Sequence, residues 1–111
     1  LAAVWDKTAI VVVSEFGRTV AENAARGTDH GTGGLAMLAG GAINGGRIAG
    51  EWPGLKPHQL YEGRDLLALN SYEALFKSLL IEHLGVDVAT IEDQIFPDSR
   101  SLQPMGGILL T

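Results

Sequence analysis

The sequence predicts an α/β protein, with buried-type strands in its first half and amphipathic helices near its end. Three observations predict it. Ala9-Ile10-Val11-Val12-Val13 is an unbroken aliphatic run, the pattern of a strand covered on both faces, as in a parallel sheet. A second apolar run, Leu35–Ala39, closes on Gly40-Gly41. Beyond Asn70 the apolar residues return at helical spacing instead.

Each element follows from local chemistry. The first strand covers 9–14 and runs into the polar Ser14-Glu15-Phe16-Gly17-Arg18. A polar, glycine-bearing loop follows over 15–34, then the second strand over 35–39. Ile43 and Ile48 flank Asn44-Gly45-Gly46, where Asn-Gly favours positive φ and a tight turn. Trp52-Pro53-Gly54 opens an irregular stretch through Arg64.

Asn70 is placed to cap a helix over 71–84, with Glu73 three residues on as a capping-box partner. Tyr72, Leu75, Phe76, Leu79, Leu80 and Leu84 would form its inner stripe, Lys77 its outer face, and Gly85 its stop. Asp87 caps a shorter helix with Val88, Ile91 and Ile95 inward, and Pro97 ends it. Residues 98–111 read as irregular or as a last edge strand. No repeat, low-complexity tract or linker interrupts the chain, so 1–111 is expected to belong to one domain. Parallel strands need neighbours and crossover helices. With only two central strands in view, the expectation is the C-terminal part of a larger α/β protein.

Composition narrows the function. Eight basic residues stand against thirteen acidic ones, a formal net charge of −5, and no lysine or arginine cluster occurs. Attraction to a nucleic-acid backbone or an anionic membrane is therefore not expected. The chain has no cysteine, so neither disulfides nor thiolate chemistry arise within it. No apolar run approaches bilayer-spanning length.

The chemistry-bearing residues gather after the first strand, and ligands of parallel sheets bind beyond the carboxyl ends of their strands. Asp29-His30, with Gly27 and Gly31 nearby, is the leading metal candidate, because carboxylate and imidazole suit zinc, manganese or iron. The same dipeptide also serves simply to fix a loop through hydrogen bonds. Glu15 is a further metal ligand, a general base, or the ion-pair partner of Arg18. Arg18 can clamp a phosphate or sulfate, since a guanidinium fork fits a tetrahedral oxyanion. It can equally hold Glu15 or a helix end.

Other motifs fail. Gly31-Thr32-Gly33-Gly34 follows a polar loop and leads to no helix, unlike a dinucleotide fingerprint. No glycine loop carries the Lys-Ser or Lys-Thr of a P-loop. Ser14 lacks a Gly-x-Ser-x-Gly elbow. His58 and His83 need no role beyond a loop and a helix C-terminus.

Taken together, Trp5-Asp6-x-Thr8, Val-Val-Val-Ser-Glu-Phe-Gly-Arg-Thr, Asn23 and Gly-Thr-Asp-His-Gly form a recognisable series. Leu-Ala-Gly-Gly-Ala-Ile-Asn-Gly-Gly-Arg, Glu51-Trp52-Pro53-Gly54-Leu55, Gly63-Arg64-Asp65-Leu66 and Phe96-Pro97 continue it. Across essentially the whole chain it resembles the C-terminal part of the domain-of-unknown-function 1501 family. That resemblance implies an alkaline-phosphatase- and sulfatase-like three-layer α/β/α sandwich, commonly exported with a twin-arginine signal. A periplasmic or extracellular protein is then expected.

The superfamily's hydrolases place metal-binding Asp and His after one strand and a later histidine before another. Here Ser14-Glu15-Phe16-Gly17 occupies the first position and His30 matches the later one. The resemblance thus implies a divalent metal (zinc, manganese or iron) held by His30, Asp29 and Glu15, with Arg18 at the substrate oxyanion. It also implies a small-molecule or glycan phosphate or sulfate ester as substrate. Phe16 cannot ligate, and a non-catalytic binding or accessory protein with an eroded metal site is the alternative.

Overall fold

The computed structural model describes residues 2–110. It is an α/β structure of four short strands and two α-helices: β1 (Ile10–Val12), β2 (Gly17–Arg18), β3 (His30–Gly31), β4 (Met37–Ala39), α1 (Tyr72–Ser78) and α2 (Val88–Thr90). β1 pairs with β4, as the two apolar runs lead one to expect, and β2 pairs with β3. The strands are shorter than the runs that predict them. β1 is not covered on both faces by the described residues, since Ile10 is 42% and Val12 51% exposed.

The chain divides into two compact units. The first comprises residues 1–10, 38–49 and 70–111. Its core is apolar: Ile43, Ala74, Leu75, Ile91, Ile108 and Leu109 are all buried. The tail joins this core through an antiparallel bridge between Ile43 and Leu109. Near its start, Gly41 and Ala42 donate to the carbonyls of Trp5 (3.1 Å) and Thr8 (3.2 Å). The turn needs glycine, because Gly40 has φ of +131° and a Cβ there would strike the Thr8 carbonyl.

The helices follow their signals with three corrections. Ser71, not Asn70, is the cap of α1; its hydroxyl accepts from the Glu73 amide at 3.1 Å. Asp87 caps α2, accepting from the Thr90 amide at 3.2 Å. Both helices then widen into π-type turns, over Leu79–His83 and Ile91–Ile95. In these turns the amides of Leu84 and Phe96 donate five residues back, to Leu79 and Ile91. Gly85, at φ of +66°, stops the first helical run.

The inward face of α1 is the second correction. Ala74, Leu75, Lys77 and Ser78 are its buried residues, whereas Tyr72 is 37% exposed. Lys77 is not on a solvent face. Its ammonium donates to the carbonyls of Ser99 (2.5 Å) and Leu102 (3.0 Å) and lies 3.5 Å from Glu92. The third concerns the second helix, where Ile91 is fully buried but Val88 and Ile95 remain over two-fifths exposed, at 46% and 42%.

The second unit comprises residues 11–37 and 50–69. Its buried residues are Gly17, Thr19, Gly33 and Asp65. Close backbone crossings and polar contacts, not a cluster of large apolar side chains, hold it together. Gly17 shows why: any Cβ there would overlap the backbone of Gly33, and the Arg18 amide donates to the Gly33 carbonyl at 2.9 Å. This unit carries the candidate site.

Candidate functional site

The site is a narrow ribbon. β2 and β3 run antiparallel with Gly17 opposite Gly31 and Arg18 opposite His30. On the other edge of β2, Thr19 bridges to Asp65. There Leu66 donates to the Arg18 carbonyl (3.2 Å) and Val20 to that of Arg64 (3.0 Å). Next to β3, Thr19 donates to the Asp29 carbonyl at 3.0 Å, while its hydroxyl accepts from the Asp29 amide at 3.0 Å.

Side chains alternate across such a ribbon, and directly paired residues share a face. Arg18 and His30 therefore stand together on one face, with Phe16 two residues before Arg18. Thr19, Asp29, Gly31 and Asp65 belong to the other. Contacts agree with this division. The Phe16 ring stacks on the His30 imidazole, centroids 4.0 Å apart and planes 1° from parallel. On the opposite face, a Cβ on Gly31 would come within 3.1 Å of the Asp65 carboxyl carbon.

Asp65 is buried and accepts from the Arg64 Nε at 2.8 Å. That hydrogen bond, then the Asp65 charge, raises the Arg64 guanidinium above its ordinary pKa, with a smaller push from Asp29. The face of Asp29 thus carries two carboxylates, Asp29 and Asp65, the second bonded to Arg64. The face of His30 pairs an imidazole with a guanidinium, and no carboxylate occupies their register positions.

Asn23 organises the loop that delivers β3. Its side-chain oxygen accepts from the amides of Ala25 and Gly27, both at 3.0 Å, and its Nδ2 donates to Asp29 at 3.0 Å. Arg26 adopts φ of +64° within this turn. Arg18 donates from Nη1 to the Thr28 carbonyl at 2.9 Å, and among the described residues no ion pair joins it to Glu15. Glu15 is exposed. The expected Glu15–Arg18 bridge is replaced by this backbone anchor.

The structure therefore brings Arg18 and His30 together and sends Asp29, adjacent in sequence, to the reverse face. Among the described residues no group of three or more His, Asp and Glu side chains is placed to hold a metal ion. Asp29 is already engaged by Asn23. Among the described residues these side chains do not by themselves form the donor set of a zinc, manganese or iron centre.

Three contributors belong to the recognised motif series but receive no role from sequence reasoning: Thr19, Asp65 and Asn23. Asn23 leaves a readable trace, because Asn side chains bond the backbone two residues on in turns, as Asn23 does with Ala25. Thr19 and Asp65 meet across 46 residues of chain, which no local pattern reveals.

Fold and site define an α/β protein presenting basic side chains from a strand pair. The sequence profile of the family described as "Protein of unknown function (DUF1501)" matches residues 1–94, and the chain belongs to that family. Comparison with curated proteins and with solved structures finds no match. No helix of the described residues is long and apolar enough to cross a membrane.

Proposed function

We propose that this protein handles phosphate or sulfate esters, small molecules or glycans, as an exported, alkaline-phosphatase-like hydrolase. This chain would supply the C-terminal part of the three-layer α/β/α sandwich. The observation that carries the reading is the direct cross-strand pairing of Arg18 with His30. Side chains so paired have Cβ atoms about 5 Å apart, so a guanidinium and an imidazole extending from them can reach one tetrahedral oxyanion together.

Arg18, steadied by its bond to the Thr28 carbonyl, has further N–H groups for a bidentate grip on two ester oxygens. As charge builds on those oxygens during transfer, a fixed guanidinium stabilises it. His30 supplies a proton donor or acceptor at the same group, the usual role of an imidazole near neutral pH. Ester substrates carry the negative charge that this face lacks.

A second reading, a non-catalytic binding protein, is favoured by the separation of Asp29 from His30 onto opposite faces. Hydrolysis of 4-nitrophenyl phosphate and 4-nitrophenyl sulfate by the full-length protein discriminates the two. The hydrolase reading expects turnover that falls about a hundredfold in Arg18→Ala and in His30→Ala. No turnover in the wild type, together with retained phosphate binding, makes it a binding protein. Metal content measured before and after His30→Ala shows whether the histidine also carries an ion.

A further inference from the structure

The stack of Phe16 on His30 is not explained by burial, since Phe16 is 50% exposed. The two rings are nevertheless parallel to within 1° at 4.0 Å. We infer that Phe16 is a positioning residue, its ring fixing the plane in which the His30 imidazole meets an oxyanion held beside Arg18. This rests on the reading of the Arg18–His30 face given above.

The geometry supports the role in three ways. Stacking covers a flat face of the imidazole, whereas both nitrogens lie on its edge and remain available. Rotating the imidazole about its terminal side-chain torsion, otherwise broad for histidine, would break the parallel contact. Phe16 is itself held from both sides. Its amide donates to the Ser14 hydroxyl at 3.2 Å, and the next residue, Gly17, is buried against the Gly33 backbone. A ring anchored at its backbone and exposed at its edge suits holding a neighbour better than filling a core. An exposed histidine on a two-residue strand would otherwise sample several rotamers, and any ligand would have to freeze one of them.

The test combines proton NMR of the His30 ring with titration by inorganic phosphate, on the wild type and on Phe16→Leu, Phe16→Tyr and His30→Ala. Unchanged urea midpoints for the Phe16 variants confirm that the fold is kept. Expected are upfield-shifted His30 ring protons in the wild type and in Phe16→Tyr, lost in Phe16→Leu. Phosphate affinity should fall about threefold to tenfold in Phe16→Leu and recover in Phe16→Tyr. Absence of the ring-current shift in the wild type overturns the inference. So does a Phe16→Leu protein that binds phosphate like the wild type while His30→Ala binds it more weakly, an outcome that leaves the oxyanion reading intact. If His30→Ala also leaves affinity unchanged, the oxyanion reading itself has failed.

Discussion

Lys77→Ala should destabilise the first unit by roughly 3–5 kcal/mol, the range seen when one partner of a buried ionic contact is removed. Lys77 is 2% exposed. Its ammonium satisfies the carbonyls of Ser99 and Leu102 and faces Glu92, whose side chain is only 20% exposed. Truncation leaves two buried carbonyls short of a donor and leaves Glu92 with only Arg100, whose Nε lies 3.9 Å away. Glu92→Gln keeps the lysine on its carbonyls with an amide oxygen in place of the carboxylate, and should lose less than Lys77→Ala. Urea unfolding of both variants checks this. A Lys77→Ala loss no larger than that of Glu92→Gln would mean that the 99–102 turn is held by something else.

Ile91→Ala should lose roughly 2–5 kcal/mol, and Ile91→Val about 1 kcal/mol, in the same assay. Ile91 has no exposed surface and begins the π-type turn of the second helical run, so the neighbourhood is poorly placed to collapse onto a cavity. Its carbonyl also receives the Phe96 amide at 2.7 Å, which ties the run's end to this residue. Leu79→Ala, at a half-buried position, should fall below both Ile91→Ala and Lys77→Ala. If Leu79→Ala exceeds Ile91→Ala, the core centres on the leucine stripe after all.

Lys77 shows where sequence reading stops. The period of Tyr72, Leu75, Phe76, Leu79 and Leu80 identifies the helix and includes the buried Leu75. It assigns the flank bearing Lys77 to water, because nothing in the helix itself announces a cover. The cover is the irregular tail: Met105 donates to the Ala74 carbonyl at 3.1 Å, and the Ser99–Leu102 turn closes over the ammonium. A lysine stem can lie along apolar surface, but burying its charge depends on carbonyls 22 and 25 residues away.

Caps and stops were more legible, because their chemistry is local. Asp87 and Gly85 act as expected, and the cap of the first helix shifts by one residue to Ser71. The pairing of the two apolar runs as β1 and β4 was legible too.

The candidate site was half legible. Residue types and their place after the first strand pointed to Arg18 and His30. Which of them share a face depends on the β2–β3 register, and adjacent Asp29 and His30 look like a pair until strand alternation separates them. Phe16, which departs from a metal ligand, became intelligible only as the ring lying on His30. Gly33, from the run that fails as a dinucleotide fingerprint, and Gly17 permit backbone crossings in a unit whose buried residues are glycine and polar.

If the Arg18–His30 face receives an oxyanion, calorimetric titration with inorganic phosphate and sulfate will register it. Saturable binding is expected, weakening about tenfold or more in Arg18→Ala, as for loss of a charge-assisted hydrogen bond. It should weaken in His30→Ala as well, and stay unchanged in Glu15→Gln. Binding that is equal in the wild type, Arg18→Ala and His30→Ala, or absent from all three, would contradict the oxyanion reading.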